Sequence, residues 1–225
     1  MGANVRQNRR QLLLTLVLSS AVSVGFLIGR IIATHQLTYW FLVWNLVLAW
    51  LPLGLAWWLM ARLQKTPWLS LSNILPTCLW LGLLPNTFYI ASDFIHLGRN
   101  GGVSLLYDIV LFLSFTFNGF ILGYISVLAV HGQLRKRLSS RGAHSLVAGV
   151  FLLCSFAMYL GRYLRWNSWD ILINPAGLIF DVSDPFINPS SHPQVFTTTL
   201  MFFVLLSSVY AVSYQLVRLA RQSHD

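Results

Sequence analysis

The sequence is poor in charge, and above all in negative charge. It contains no glutamate, and its six acidic residues are all aspartate. Charged side chains make up only 9% of the chain, whereas soluble globular domains carry about 25%. Apolar side chains account for 56% of its 225 residues. An ordinary soluble domain is therefore excluded, and the composition predicts an integral membrane protein.

Cysteine is also scarce. Cys78 and Cys154 both lie inside apolar runs, so neither a disulfide framework nor a thiolate metal site is indicated. The net charge of +9 does not predict a nucleic-acid partner, because the basic residues stand between apolar runs and form no basic face. Membrane lipids are the expected partners.

Apolar runs long enough to cross a bilayer predict the architecture. Each must be a helix, because a chain in lipid has to satisfy its own backbone hydrogen bonds. The loops between them are short, so we expect one membrane domain over residues 1–225, an all-α bundle of about six transmembrane helices. The predicted spans are 11–33, 40–60, 68–90, 106–130, 145–164 and 195–217.

The distribution of charge predicts the orientation. With both termini in the cytoplasm, eleven of the fifteen lysines and arginines lie inside, as the positive-inside tendency requires. The inner side then sums to +10, eleven minus Asp225, and the outer side to −1, four minus five. The outer charges are Arg30, Arg99, Arg162 and Arg165 with Asp93, Asp108, Asp170, Asp181 and Asp184.

The longest stretch between spans, 166–194, is rich in proline and also carries apolar residues. The prolines predict that it contains no regular helix. Its apolar content favours an outer loop that lies on the membrane or folds back over the outer face.

A polar stripe marks the outer end of the third run. Asn86, Tyr89, Asp93 and His96 stand at offsets of 0, 3, 7 and 10, so they share a sector of about 80° on a helix. The stripe is therefore expected to face the bundle. It belongs either to a functional site or to a cap that reaches water.

Two prolines in the same run, Pro76 and Pro85, are expected to kink it and to free backbone carbonyls. Membrane proteins tolerate such backbone mainly where it is buried in protein or lines a cavity.

The fourth run carries Asp108 near its start and Asn118 near its middle. Either side chain would cost several kcal/mol if it faced lipid alone. Both are therefore expected to face protein. The Asn118 side chain could form an interhelical hydrogen bond or contact a ligand, and the sequence favours neither.

Two arginines at the end of the fifth run oppose the positive-inside tendency. Arg162 and Arg165 stand at i and i+3, so they are expected to share a face and to need a local counter-charge. Asp93, Asp108 or Asp170 could supply it, and so could an external anion, since arginine suits bidentate capture of carboxylate or phosphate. A structural Arg–Asp network and an anion site both fit the pattern.

No recognised metal motif is present, so no metal is predicted and any cofactor is unknown. Two sets of side chains could in principle coordinate a metal ion, but neither has the spacing of a known metal site. The sets are Asp93 with His96 and Asp108, and Asp181 with Asp184 and His192.

Several short motifs resemble the bacterial integral-membrane family called domain of unknown function 1361, over about Trp44 to Val217. The resemblance implies a multi-pass protein of the bacterial plasma membrane with no assigned activity. The motifs are Leu84-Pro85-Asn86 with Tyr89, Asp93 and His96-Leu97, then Tyr107-Asp108, then Leu160 to Asp170.

Together these patterns predict an outward-opening polar pocket, built by the ends of the third, fourth and fifth runs and covered by 166–194. It could bind or act on an anionic, lipid-linked substrate. A solute carrier or binding protein and a non-catalytic scaffold are the alternatives, so whether the protein is an enzyme is open. Asp93, His96 and Asp108 are expected to supply proton exchange or carboxylate contacts. Arg162 and Arg165 would hold an anionic or phosphate-bearing group. The further binding residues are expected to be Asn86, Tyr89, Asn118, Asn167 and Asp170.

Overall fold

A computed structural model describes residues 2–98, 102–167 and 170–222, which are almost entirely helical and contain no strand. Arg99 and Asp225, which entered the charge count, lie outside the described residues, as do Ser168 and Trp169 of the last motif.

Nine α-helices follow one another in the described chain, with two short 3-10 segments at Ile90–His96 and Pro189–Ser191. The α-helices are α1 (Gly2–Thr34), α2 (Phe41–Arg62), α3 (Leu71–Leu83), α4 (Pro85–Tyr89), α5 (Leu105–Leu134), α6 (Ser140–Tyr163), α7 (Asp170–Ile173), α8 (Pro175–Ile187) and α9 (Pro193–Gln222).

Six helical stretches are long and apolar enough to cross a membrane, and they correspond to the six predicted runs. The prediction of an all-α membrane bundle is confirmed. The third stretch, Leu71–His96, reaches six residues beyond the predicted limit of 90, because a 3-10 segment continues it.

Pro85 divides the third stretch. It lacks an N–H group for the helical ladder, so α3 ends at Leu83 and Pro85 takes the first position of α4. The carbonyl of Leu83 accepts a hydrogen bond from Asn86 Nδ2 at 3.0 Å, and the carbonyl of Leu84 accepts one from Thr87 Oγ1 at 2.7 Å. The break is thus compensated by side chains that follow it.

The chain between α6 and α9 corrects the prediction that 166–194 holds no regular helix. α8 runs for 13 residues from Pro175 to Ile187. Pro175 is tolerated in the first turn, where no N–H group is needed, and the Asn174 side chain accepts from the N–H of Gly177 at 3.1 Å. Pro185 lies in the last turn, where it ends the helix soon afterwards.

The apolar side of α8 remains largely exposed, with Ile179, Phe180, Phe186 and Ile187 outermost. The Phe186 ring also contacts Phe156 of α6, at 6.0 Å between centroids. α8 therefore contacts α6 through this ring pair, while most of its apolar side faces away from the bundle.

α5 is the central helix and packs against α1, α2, α4, α6 and α9. Two glycines allow its close approach to α4. A Cβ atom at Gly119 would collide with the carbonyl oxygen of Thr87, and one at Gly123 with the Thr87 hydroxyl and the Phe88 ring. By contrast, a Cβ atom at Gly25 on α1 would meet nothing.

Gly119→Ala is expected to lower stability by about 1–3 kcal/mol, because a backbone carbonyl cannot move aside for the added methyl group. The measurement is the thermal unfolding midpoint of the purified protein in detergent. Gly149→Ala on α6 is the matched control, since a Cβ atom there meets open space. Equal midpoints for the two variants would contradict the proposed α4–α5 contact.

Candidate functional site

Asp93 is the centre of a buried polar network at the end of the bundle where α6 ends. Its Oδ1 accepts from Arg162 Nη2 of α6 at 2.6 Å, and its Oδ2 accepts from Asn45 Nδ2 of α2 at 2.8 Å. The residue is only 2% exposed. One carboxylate therefore joins α2, α6 and the 3-10 segment that carries it.

Arg162 is engaged by several further groups. It donates to Ser92 Oγ from Nε at 3.1 Å and from Nη2 at 2.6 Å. Its Nη1 lies 3.2 Å from His96 Nε2, and since a guanidinium only donates, this nitrogen is the acceptor. The guanidinium also lies over the Tyr89 ring, 4.7 Å from its centroid.

A second buried ion pair joins α1 to α5. Arg30 Nε donates to Asp108 Oδ1 at 2.7 Å, and Arg30 Nη2 donates to Asp108 Oδ2 at 3.4 Å. Arg30 is fully buried and Asp108 is 3% exposed. Sequence reasoning placed Arg30 among the outer charges but not in the site. The available signal is that an arginine within an apolar run needs a polar partner in the protein, although the sequence does not say which one.

Tyr39 connects the two ion pairs. The Arg30 guanidinium lies 4.4 Å from the centroid of its ring, and its hydroxyl donates to the carbonyl of His96 at 3.2 Å. Burial raises the pKa of the Tyr39 phenol, and the nearby Asp108 carboxylate raises it further. The phenol is therefore a hydrogen-bond donor at neutral pH.

Beside the Asp93 network lies a cavity of about 170 Å³. Its wall contains three asparagines and three aromatic residues, with no charged side chain. α5 does not contribute to it, although the sequence predicted that the fourth run would, and α2 does. The lining residues are Trp44, Asn45, Leu48, Gly82, Pro85, Asn86, Tyr89, Ala157, Leu160, Gly161, Trp166, Asn167 and Leu178.

The ion-pair network supports this wall from behind. Asn45 lines the cavity and donates to Asp93, and Tyr89 lines it and stacks against Arg162. The Tyr89 hydroxyl also donates to the carbonyl of Gly161 at 3.2 Å. Asp93, His96, Asp108 and Arg162 are not themselves among the lining residues.

Comparison with known families gives one match. The family described as "Protein of unknown function (DUF1361)" matches residues 44–209. The chain belongs to the DUF1361 family. Its match contains the cavity and the Asp93–Arg162 pair, whereas Arg30 and Tyr39 precede it. No curated protein and no solved structure is significantly similar to the chain.

Arg165 does not share a face with Arg162 in this DUF1361 protein. α6 ends at Tyr163, and Arg165 adopts a left-handed backbone conformation with φ of 60°. Its side chain is exposed, and no hydrogen bond or ion pair joins it to any other described residue. It therefore stands next to Trp166 of the cavity wall with its charge available.

The remaining predicted residues have local partners. Asn167 lines the cavity, and both its N–H group, at 2.6 Å, and its Nδ2, at 3.2 Å, donate to Asp170 Oδ2. Asn118 lies apart from the cavity. Its Nδ2 donates to Ser23 Oγ of α1 at 2.9 Å, which is the interhelical bond that the sequence had left open.

The polar groups of the α8 segment also pair separately. Asp181 accepts from Trp166 Nε1 at 2.8 Å, while Asp184 accepts from Asn188 and lies 2.8 Å from His192 Nε2. These bonds, that from Asn188 foremost, lower the pKa of Asp184. Within the described ranges, no three His, Cys or Asp side chains come together as a metal site needs.

A double-mutant cycle tests the deeper ion pair. Arg30→Met leaves Asp108 buried without its counter-charge, so a loss of about 3 kcal/mol or more in stability is expected. Arg30→Met with Asp108→Leu removes both charges and should recover much of this loss. Thermal unfolding in detergent measures all the variants.

Arg141→Met is the control, since Arg141 is exposed at the opposite end of the bundle. If Arg30→Met melts no lower than this control, the ion pair carries no stability.

Proposed function

We propose that the protein binds the polar head of a lipid-linked ligand in the cavity between α2, α4, α6 and α8. The observation that carries the proposal is a cavity wall of amide and aromatic side chains, placed at the end of the bundle where the charge count predicts the extracytoplasmic face. A bacterial plasma membrane is the membrane that the charge pattern and the family together favour.

The wall suits a polar ring or a small hydrated head. Trp44, Tyr89 and Trp166 offer aromatic surfaces for stacking, and Asn86 and Asn167 offer amide groups for hydrogen bonding. The volume of about 170 Å³ lies below the 300–1,000 Å³ that is common for drug-sized ligands. The cavity therefore accepts one headgroup, and the attached lipid chains would remain in the membrane.

Arg165 would supply the charge for an anionic or phosphate-bearing ligand. It is exposed between Leu164 and the cavity residue Trp166 in the chain, at the rim and not in the lining, and the described residues offer it no counter-ion. Arg162, by contrast, is committed to Asp93, Ser92 and His96. The anion-binding role expected of two arginines is therefore assigned to Arg165 alone.

Acid–base catalysis has less support than binding. Both oxygens of Asp93 already accept hydrogen bonds, and both oxygens of Asp108 accept from Arg30. His96 Nε2 accepts from Arg162. None of the three side chains lines the cavity, so none is presented to a substrate there.

A carrier also has less support. Helices α4, α5, α6 and α9 meet in an aromatic core with ring centroids 5.0–6.1 Å apart, formed by Phe88, Tyr124, Phe151 and Tyr210. All four residues are buried. This packed core leaves no open passage between these four residues, which argues against transport along that part of the bundle.

Filling the cavity tests the proposal. Ala157 lines it from α6, so Ala157→Phe should exclude the ligand, while Ala61→Phe makes the same change at an exposed position of α2. Each protein is purified in mild detergent from its host membrane, and the co-purifying lipids are identified by mass spectrometry. We expect one lipid class that the wild type and Ala61→Phe retain and Ala157→Phe loses. Identical lipid profiles in all three proteins would refute a ligand in this cavity.

Arg165→Gln tests the charge of the ligand. Losing one charge-assisted hydrogen bond should reduce the retained lipid about tenfold if its head bears a phosphate. Arg141→Gln, at the opposite end, should retain as much as the wild type. Undiminished retention by Arg165→Gln would show that the head is bound through its uncharged groups.

A further inference from the structure

The end of the bundle opposite the cavity has a large excess of positive charge. The sequence places eleven cations there and one acid, Asp225, which lies outside the described residues. Asp93 and Asp108 form ion pairs at the other end. Asp170, Asp181 and Asp184 have their partners in the chain between α6 and α9, which are Asn167, Trp166, and Asn188 with His192. The carboxylates of the described chain therefore leave these cations uncompensated.

A cleft between α5 and α9 gathers two of these cations. It has a volume of about 320 Å³ and is lined by Arg135, which directly follows α5, and by Arg218 from α9. The other lining residues are Leu128, Gly132, Tyr214, Val217 and Gln222. Positions 128, 132 and 135 lie on one face of α5, and 214, 217 and 218 on one face of α9. The cleft is thus a seam between two helices.

The cleft has an apolar part beside its charged part. Leu128 lies about two turns before Arg135, and Val217 lies level with Arg218, while Gln222 is the last residue of α9. Arg135 donates to the Tyr214 hydroxyl, which fixes its guanidinium in the cleft. Gly132 keeps the middle open, since a Cβ atom there would meet nothing within 4 Å.

We infer that this cleft binds the phosphodiester headgroup of an anionic phospholipid, with an acyl chain against its apolar part. Two arginines present the hydrogen-bond donors that a phosphate group requires, and the adjoining apolar part suits the chain that a lipid carries and a free ion lacks. The site is separate from the cavity at the other end, so neither proposal depends on the other.

The test uses the full chain in vesicles of phosphatidylcholine alone, or of phosphatidylcholine mixed with phosphatidylglycerol in equal amounts. Native mass spectrometry counts the lipid molecules that stay bound after the protein is released from the vesicles. Arg135→Gln with Arg218→Gln should lose bound phosphatidylglycerol roughly tenfold or more. Lys65→Gln with Arg141→Gln removes the same charge from the same end but outside the cleft, and should retain the lipid.

Gly132→Leu provides a second route that leaves the charge unchanged. It should fill the cleft and displace the lipid, while its thermal midpoint in phosphatidylcholine stays at the wild-type value, because the position is open. Equal loss in the two charge variants would show only general surface attraction and would overturn the inference. So would lipid binding that survives Gly132→Leu, or displacement of the lipid by inorganic phosphate at millimolar concentration.

Discussion

A charged side chain within the apolar part of a membrane bundle must find its counter-charge inside the protein. This constraint organises the end of the structure that holds both ion pairs. Arg30 is fully buried and faces Asp108, and Asp93, itself 2% exposed, faces Arg162. The first pair joins α1 to α5, and the second joins α6 to the 3-10 segment. Tyr39 connects them through its ring and its hydroxyl.

The residues that form the ion pairs are not the residues that line the cavity. The buried charged groups hold helices together, and the cavity beside the Asp93 network is lined by uncharged polar and aromatic side chains. Asn45 and Tyr89 belong to both sets, because each touches the network on one side and the cavity on the other. The shape of the cavity wall thus depends on an ion pair that does not line it.

Hydropathy was sufficient to predict the helical membrane bundle, since six apolar runs leave little choice of architecture. The helical spacing also predicts that Asp93 and His96 face the bundle, and in the structure both contact Arg162.

What the sequence missed depends on how helices break and meet. The predicted polar stripe from Asn86 to His96 assumes one continuous α-helix. In the structure the helix is interrupted at Pro85, and the 3-10 segment has a different rotation per residue. Arg165 was placed on the face of Arg162, but the helix ends between them. The partner of Arg30 is Asp108, 78 positions away in the chain, and only the tertiary structure identifies this pair. The helix at Pro175–Ile187 contradicts the expectation from its prolines, because Pro175 and Pro185 lie in its first and last turns and leave the turns between them intact.

The most direct test of the account reverses the charges of the Asp93–Arg162 pair. Asp93→Arg or Arg162→Asp alone places two like charges together in a buried site, and each should sharply reduce the amount of folded protein in the membrane. The exchange variant, with both substitutions, restores opposite charges, and Asn45 can turn its amide to accept from the new arginine. The account predicts that its thermal midpoint recovers most of the way to the wild-type value. An exchange variant no more stable than either single reversal, or single reversals that fold like the wild type, would contradict it.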